Sequence, residues 1–173
     1  LGISNALDAA IYEKAQMNLE SNDSDSLLFL SNDTYFQAYS YLEENERGST
    51  LALIVLGGWI ESLYIMTNLG AYEEGSNLVA RIGEQKLTVG NLMGFMMKYQ
   101  DDSNVAEVME ELADIEELFW SFEEEEGDDV STSQEGDVYV LSGGSTIMIS
   151  AEQYEKLKEL VSELRNEIIE GEL

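Results

Sequence analysis

Apolar residues recur every three or four positions along most of this chain, a helical period, and give way to a period of two only once, near the C-terminus. Ile3, Ala6, Leu7, Ala10, Ile11, Ala15 and Met17 share one face and predict a first helix over residues 3–19, ending in the loop-like Ser21-Asn22-Asp23-Ser24-Asp25-Ser26. Asn32 or Asp33 is placed to cap a second helix reaching about Glu46, with Tyr35, Phe36, Tyr39 and Leu42 on its inner side. Arg47-Gly48-Ser49 then turns the chain. Residues 50–68 are apolar all round, the mark of a helix at a bundle centre or in a membrane. Glu61 lies mid-run, and an acid at bilayer centre costs about 2.5–3.5 kcal/mol, so the expectation is a bundle centre and no transmembrane helix. Gly57-Gly58 permits close approach of a neighbouring helix, or marks a kink.

Shorter helices are expected over residues 75–82 and 88–99, the second carrying the soft apolar set Leu92, Met93, Phe95, Met96 and Met97. Residues 105–122 follow as an amphipathic helix: Val105, Val108, Met109, Leu112, Ile115, Leu118, Phe119 and Phe122 form the stripe, and acids occupy the other faces. Residues 123–137 read as an acidic linker. Alternation over residues 138–149 then predicts a β-hairpin turning at Gly143-Gly144, with Val140 opposite Ile147 and Tyr139 opposite Met148. Ser150 and Gln153 make a capping box for a last amphipathic helix, with Ile149 placed to staple onto Tyr154. Its seam is Tyr154, Leu157, Leu160, Val161, Leu164 and Ile168, and Glu152 is placed to pair with Lys156. The expected fold is mainly all-α: a multi-helix bundle around a central apolar helix, then a small C-terminal β-hairpin and an amphipathic helix. As one domain it divides into a bundle (1–122), a linker (123–137) and a hairpin plus helix (138–173).

Composition restricts the chemistry. There are 36 Asp and Glu against 8 Lys and Arg, a formal net charge of -28, and no His, Cys or Pro. Residues 99–155 hold half of the acids and no Lys or Arg. With 44% hydrophobic residues the chain folds rather than staying disordered, under a skin that repels nucleic acid and anionic lipid and admits cations or a basic protein. Without Cys there are no disulfides, thiolate metal sites or thiol catalysis, and without His the usual imidazole base and metal ligand are gone. A carboxylate di-iron bundle needs Glu-x-x-His motifs and is excluded in that form. Neither glycine pair has the strand, Lys and helix of a phosphate loop.

The remaining candidates are few. Asp23 and Asp25, and likewise Asp101 and Asp102, present oxygens to a hard cation such as Ca²⁺, although the central Gly and distal Glu of an EF-hand loop are missing. Helix termination is the simpler role for such residues. Glu61 and Trp59 are singled out as polar and aromatic groups buried in the apolar helix, Trp59 as a core anchor and Glu61 as an acid needing a partner. No catalytic set and no cofactor are expected. A glycosidase-like pair of carboxylates is left open by composition alone.

The segment Leu56-Gly57-Gly58-Trp59-Ile60-Glu61-Ser62-Leu63-Tyr64, together with Val140-Leu141-Ser142-Gly143-Gly144 and the helix after it, resembles uncharacterised α-helical proteins exported by Bacteroidetes, often as lipoproteins. That resemblance implies a periplasmic or outer-membrane-anchored address, with an anchoring Cys upstream of Leu1, and it supplies no catalytic residues. A cytoplasmic address stays open. The expected function is a non-enzymatic binding or scaffold module of the envelope; the alternative is an acidic, cation-dependent binder of Ca²⁺ or of a basic protein.

Overall fold

The computed structural model describes residues 10–127, 131–135, 138–142 and 144–171, with the backbone alone for the segments between 131 and 142. It is mainly all-α. Two compact units, Leu1–Val55 and Leu56–Leu173, divide the chain within one long helix, and the bundle expected over 1–122 falls across that division.

In the first unit α1 (Ala10–Glu20) packs on α2 (Ser24–Glu44), and α3 (Gly48–Asn68) begins. Ile3, Ala6 and Leu7, expected on the first helix, lie outside the described residues. α2 starts well before the expected cap: Asp23 is the N-cap, its carboxylate accepting the Ser26 N–H at 3.0 Å. Asp33 is interior instead and accepts from the Gln37 amide one turn on. Of the expected loop, Ser21 and Asn22 do form a turn after α1, whereas Asp23 is an Asx cap and Ser24, Asp25 and Ser26 are the first helical turn. Burial here is sparse, with Leu42, Leu51 and Ala52 enclosed and no buried residue on α1.

The second unit contains the rest of α3, then α4 (Asn77–Gly83), α5 (Gln85–Met96) continued by a 3₁₀ turn (Met97–Tyr99), α6 (Ser103–Trp120) and α7 (Ala151–Glu170). α5 packs on α6 and α6 on α7. Its core is Leu56, Ile60 and Leu63 of α3, Val89, Leu92 and Met96 of α5, the α6 stripe, and Tyr154, Leu157, Val161 and Leu164 of α7. Val105, Val108, Leu112, Ile115 and Phe119 are buried at the expected helical spacing. The capping box at Ser150 is present, with Ser150 and Gln153 each accepting the other's backbone N–H.

Strand pairing differs from the expected hairpin. β1 (Glu123–Glu125) pairs with β4 (Thr146–Met148), and β2 (Ser131–Glu135) with β3 (Val138–Ser142), both antiparallel. Val140 lies opposite Ser133 and Ile147 opposite Glu124, so β3 and β4 do not pair with each other. Much of the expected acidic linker is strand. Polar β2 carries no apolar alternation, so periodicity could not reveal it, and its Thr132 is the one residue of strand-forming type. Gly127 follows β1, and a Cβ there would collide with the Gly144 carbonyl oxygen. Gly144 itself has φ 102°, a left-handed conformation that glycine accepts without strain.

Among the described residues one helix, α3, is long and apolar enough by length and composition to cross a membrane, and a third of its apolar window is buried within the protein. Its buried positions Leu56, Ile60, Leu63 and Thr67 follow one face, while Gly58, Glu61, Ser62 and Ile65 are exposed.

Candidate functional site

Glu61 is exposed rather than buried, because the face of α3 that carries it looks away from the core toward Arg165 of α7. The guanidinium grips the carboxylate in two places, Nε to Oε2 at 2.6 Å and Nη2 to Oε1 at 3.1 Å, and lies 4.3 Å from the centre of the Tyr64 ring. Two parallel charge-assisted bonds and an aromatic plate fix Arg165 in one pose. The Arg165 hydrogen bond holds the Glu61 carboxyl below its usual range, and the same bond raises the guanidinium. Glu61 is thus a tied acid joining two helices, not a proton donor.

Trp59 is half-buried against Phe119, ring centres 6.2 Å apart, and its indole N–H donates to the Gln85 side chain at 3.1 Å. It anchors the core edge, as the sequence suggests for a large amphipathic ring. Asp102 caps α6 by accepting the Asn104 N–H at 3.1 Å, and Asp101 is exposed beside it. Asp23 caps α2 and its carboxyl is lowered chiefly by the Ser26 backbone hydrogen bond, while Asp25 lies in the first turn. All four candidate metal ligands are therefore at helix starts. Among the described residues no group of three or more acids is placed to hold a metal ion.

An open groove of about 730 Å³ lies at the start of α7, lined by Tyr72, Ser121, Met148 and the capping box, with Glu74, Glu123 and Glu152 among its walls. Its polar groups are largely engaged by the fold itself. Gln153 donates to the Ser121 carbonyl and hydroxyl at 3.2 Å, and the Tyr72 hydroxyl donates to the Ile149 carbonyl at 2.8 Å. Such walls offer a cationic group carboxylates but present no activated nucleophile.

The feature that sequence reasoning missed is at the junction of α5 and α6. Lys86 is buried, and its ammonium donates to the Phe122 carbonyl at 3.0 Å while standing 5.4 Å from the centre of the Trp120 ring. Trp120 is 56% exposed, and its indole N–H donates to Glu116 at 3.4 Å. Only tertiary packing brings Lys86 under Trp120, so no local motif signalled the pair. The preference of ammonium ions for indole faces was the one available clue.

No family model matches this chain, and comparison with curated proteins and with solved structures finds no match.

Proposed function

We propose that this chain is a non-enzymatic binding module whose acidic surface receives a basic protein segment. The carrying observation is the segregation of α6: its apolar stripe is buried, while Glu107, Glu110, Glu111, Asp114 and Glu117 stand exposed and Glu123 to Glu126 continue the acid beyond its end. A negative field of this density steers cationic partners and repels polyanions. An envelope address is part of this proposal, and its support is the resemblance of residues 56–64 and of the C-terminal segment to exported proteins.

Calorimetric titration with three peptides of equal length, one basic, one neutral and one acidic, tests this reading. The basic peptide alone should bind, with affinity falling as salt rises. Equal affinity for the neutral peptide, or no binding of the basic one at low salt, refutes it.

A further inference from the structure

We propose that Trp120 and the glycine-lined side of α5 form a docking face for a basic amphipathic helix, a proposal that rests on the binding-module reading and names its site. α6 ends in an indole that a soluble helix would ordinarily bury, since a Trp side chain carries about 150–250 Å² of largely apolar surface. Here more than half of it faces solvent. The ring lies against α5 at Gly90, where an added Cβ would be 3.5 Å from it. One turn before Gly90 comes Leu87, 73% exposed; one turn after comes Gly94, with nothing within 4 Å of where a Cβ would stand; then Met97, also exposed. Leu87, Gly90, Gly94 and Met97 follow the i, i+3, i+7, i+10 spacing of one helix side. Leu87, Met97 and the Trp120 ring, which already covers Gly90, therefore border an open position at Gly94, where another helix can set an apolar side chain.

Charge selects the occupant. Glu116, Glu117 and Glu123 flank Trp120 in sequence, and residues 99–155 carry no Lys or Arg. Arg81 is paired with Glu84 at 2.9 Å, whereas Lys86 beneath the indole and Lys98 over the Phe95 ring keep their charge on the α5 side, so the acids open to a basic helix are those of the α6 side, Glu116 and Glu117 with Glu123. A second copy of this chain or an anionic lipid surface would bring like charge to this rim. A helix with Leu-type residues on one side and Lys or Arg flanking them satisfies the open apolar position and the acids together. Its cations can also reach the outer face of the indole.

The test uses a synthetic Leu/Lys amphipathic helical peptide, with a Lys/Ser peptide of the same charge as control. Binding is followed by Trp120 emission in a Trp59→Phe background and by calorimetry on the otherwise unaltered chain. The Leu/Lys peptide should shift Trp120 emission to the blue and bind at least about tenfold more tightly than the control. Trp120→Ala and Gly94→Gln should each weaken it about tenfold. Gly94→Gln lies on an exposed helical position and raises helix propensity, so a fold defect would not explain its loss. Equal binding by both variants, or by both peptides, overturns the docking face while leaving the acidic binding module standing. Absence of binding by either peptide overturns both. A blue shift produced by anionic vesicles, or by self-association without peptide, assigns the face to another occupant and overturns the proposal.

Discussion

Replacing Tyr154 by Phe removes a single hydroxyl from a fully buried aromatic of the second unit. The ring is fully buried, and its hydroxyl is shared between the Thr67 carbonyl at 3.2 Å and the Gly70 carbonyl at 3.1 Å. Thr67 is in the last turn of α3, where carbonyls have no intrahelical partner, so Tyr154 closes the end of one helix from the first turns of another. Phe keeps the packing and the Tyr72 ring contact but takes the hydroxyl from the buried Thr67 carbonyl, while the Gly70 carbonyl lies nearer solvent. An unsatisfied buried acceptor costs about 1–3 kcal/mol, which for a chain of this length lowers the melting temperature by about 4–8 °C at the middle of that range. The pH dependence supplies a second readout. Burial, and secondarily the Glu155 carboxylate, raise the Tyr154 hydroxyl above its ordinary value. The folded chain therefore holds this proton more tightly than the unfolded one. The contribution is whole below the ordinary tyrosine pKa of about 10 and is lost as pH rises through the folded value. Circular-dichroism melts of both proteins at neutral pH and through the alkaline range should show a less stable variant whose alkaline decline is shallower. A variant melting within about one degree of the parent, with the same alkaline limb, would refute the role given to this hydroxyl.

Gly83→Ala places a Cβ 3.0 Å from the Ile147 Cβ and 3.2 Å from its carbonyl oxygen, so α4 and β4 must separate. Overpacking of about 1–3 kcal/mol should outweigh the helix-propensity gain of at most about 1 kcal/mol, and a higher melting temperature would contradict this. Ser150→Ala removes the oxygen that accepts the Gln153 N–H and should destabilise the fold by about 1 kcal/mol, readable as a lower midpoint in urea with unchanged slope. Arg165→Gln releases Glu61, whose lowered carboxyl contributes stability above the ordinary carboxylate pKa and loses it as pH falls. The gap in melting temperature between parent and variant should narrow from neutral pH to acid; a constant gap would exclude the pair as its source.

What the sequence revealed follows from where the physics is local. The α6 stripe and the Ser150 capping box depend on residues within a few turns of each other, and both are formed as their spacing predicts. The Glu152–Lys156 pair was also local, yet Lys156 bonds Glu159 at 2.8 Å, since several acids compete for each exposed ammonium on this helix. β2 was hidden because its Ser-Thr-Ser-Gln-Glu sequence has no apolar residue whose alternation could mark a strand. The start of α2 was hidden because Ser and Asp serve equally as loop residues and as a first turn. Arg165 meets Glu61, and Lys86 meets Trp120, across long stretches of chain. The scarcity of cations made each one informative, but only packing could assign its partner.

Hydrogen–deuterium exchange with and without the Leu/Lys peptide tests the central claim most directly, because it shows where an acidic surface this extensive receives its ligand. Protection should concentrate in α5 around Leu87 to Met97 and at the end of α6 around Glu116 to Glu123, leaving α1 and α2 unchanged. Protection spread evenly over the acidic helices, or confined to the first unit, would contradict it.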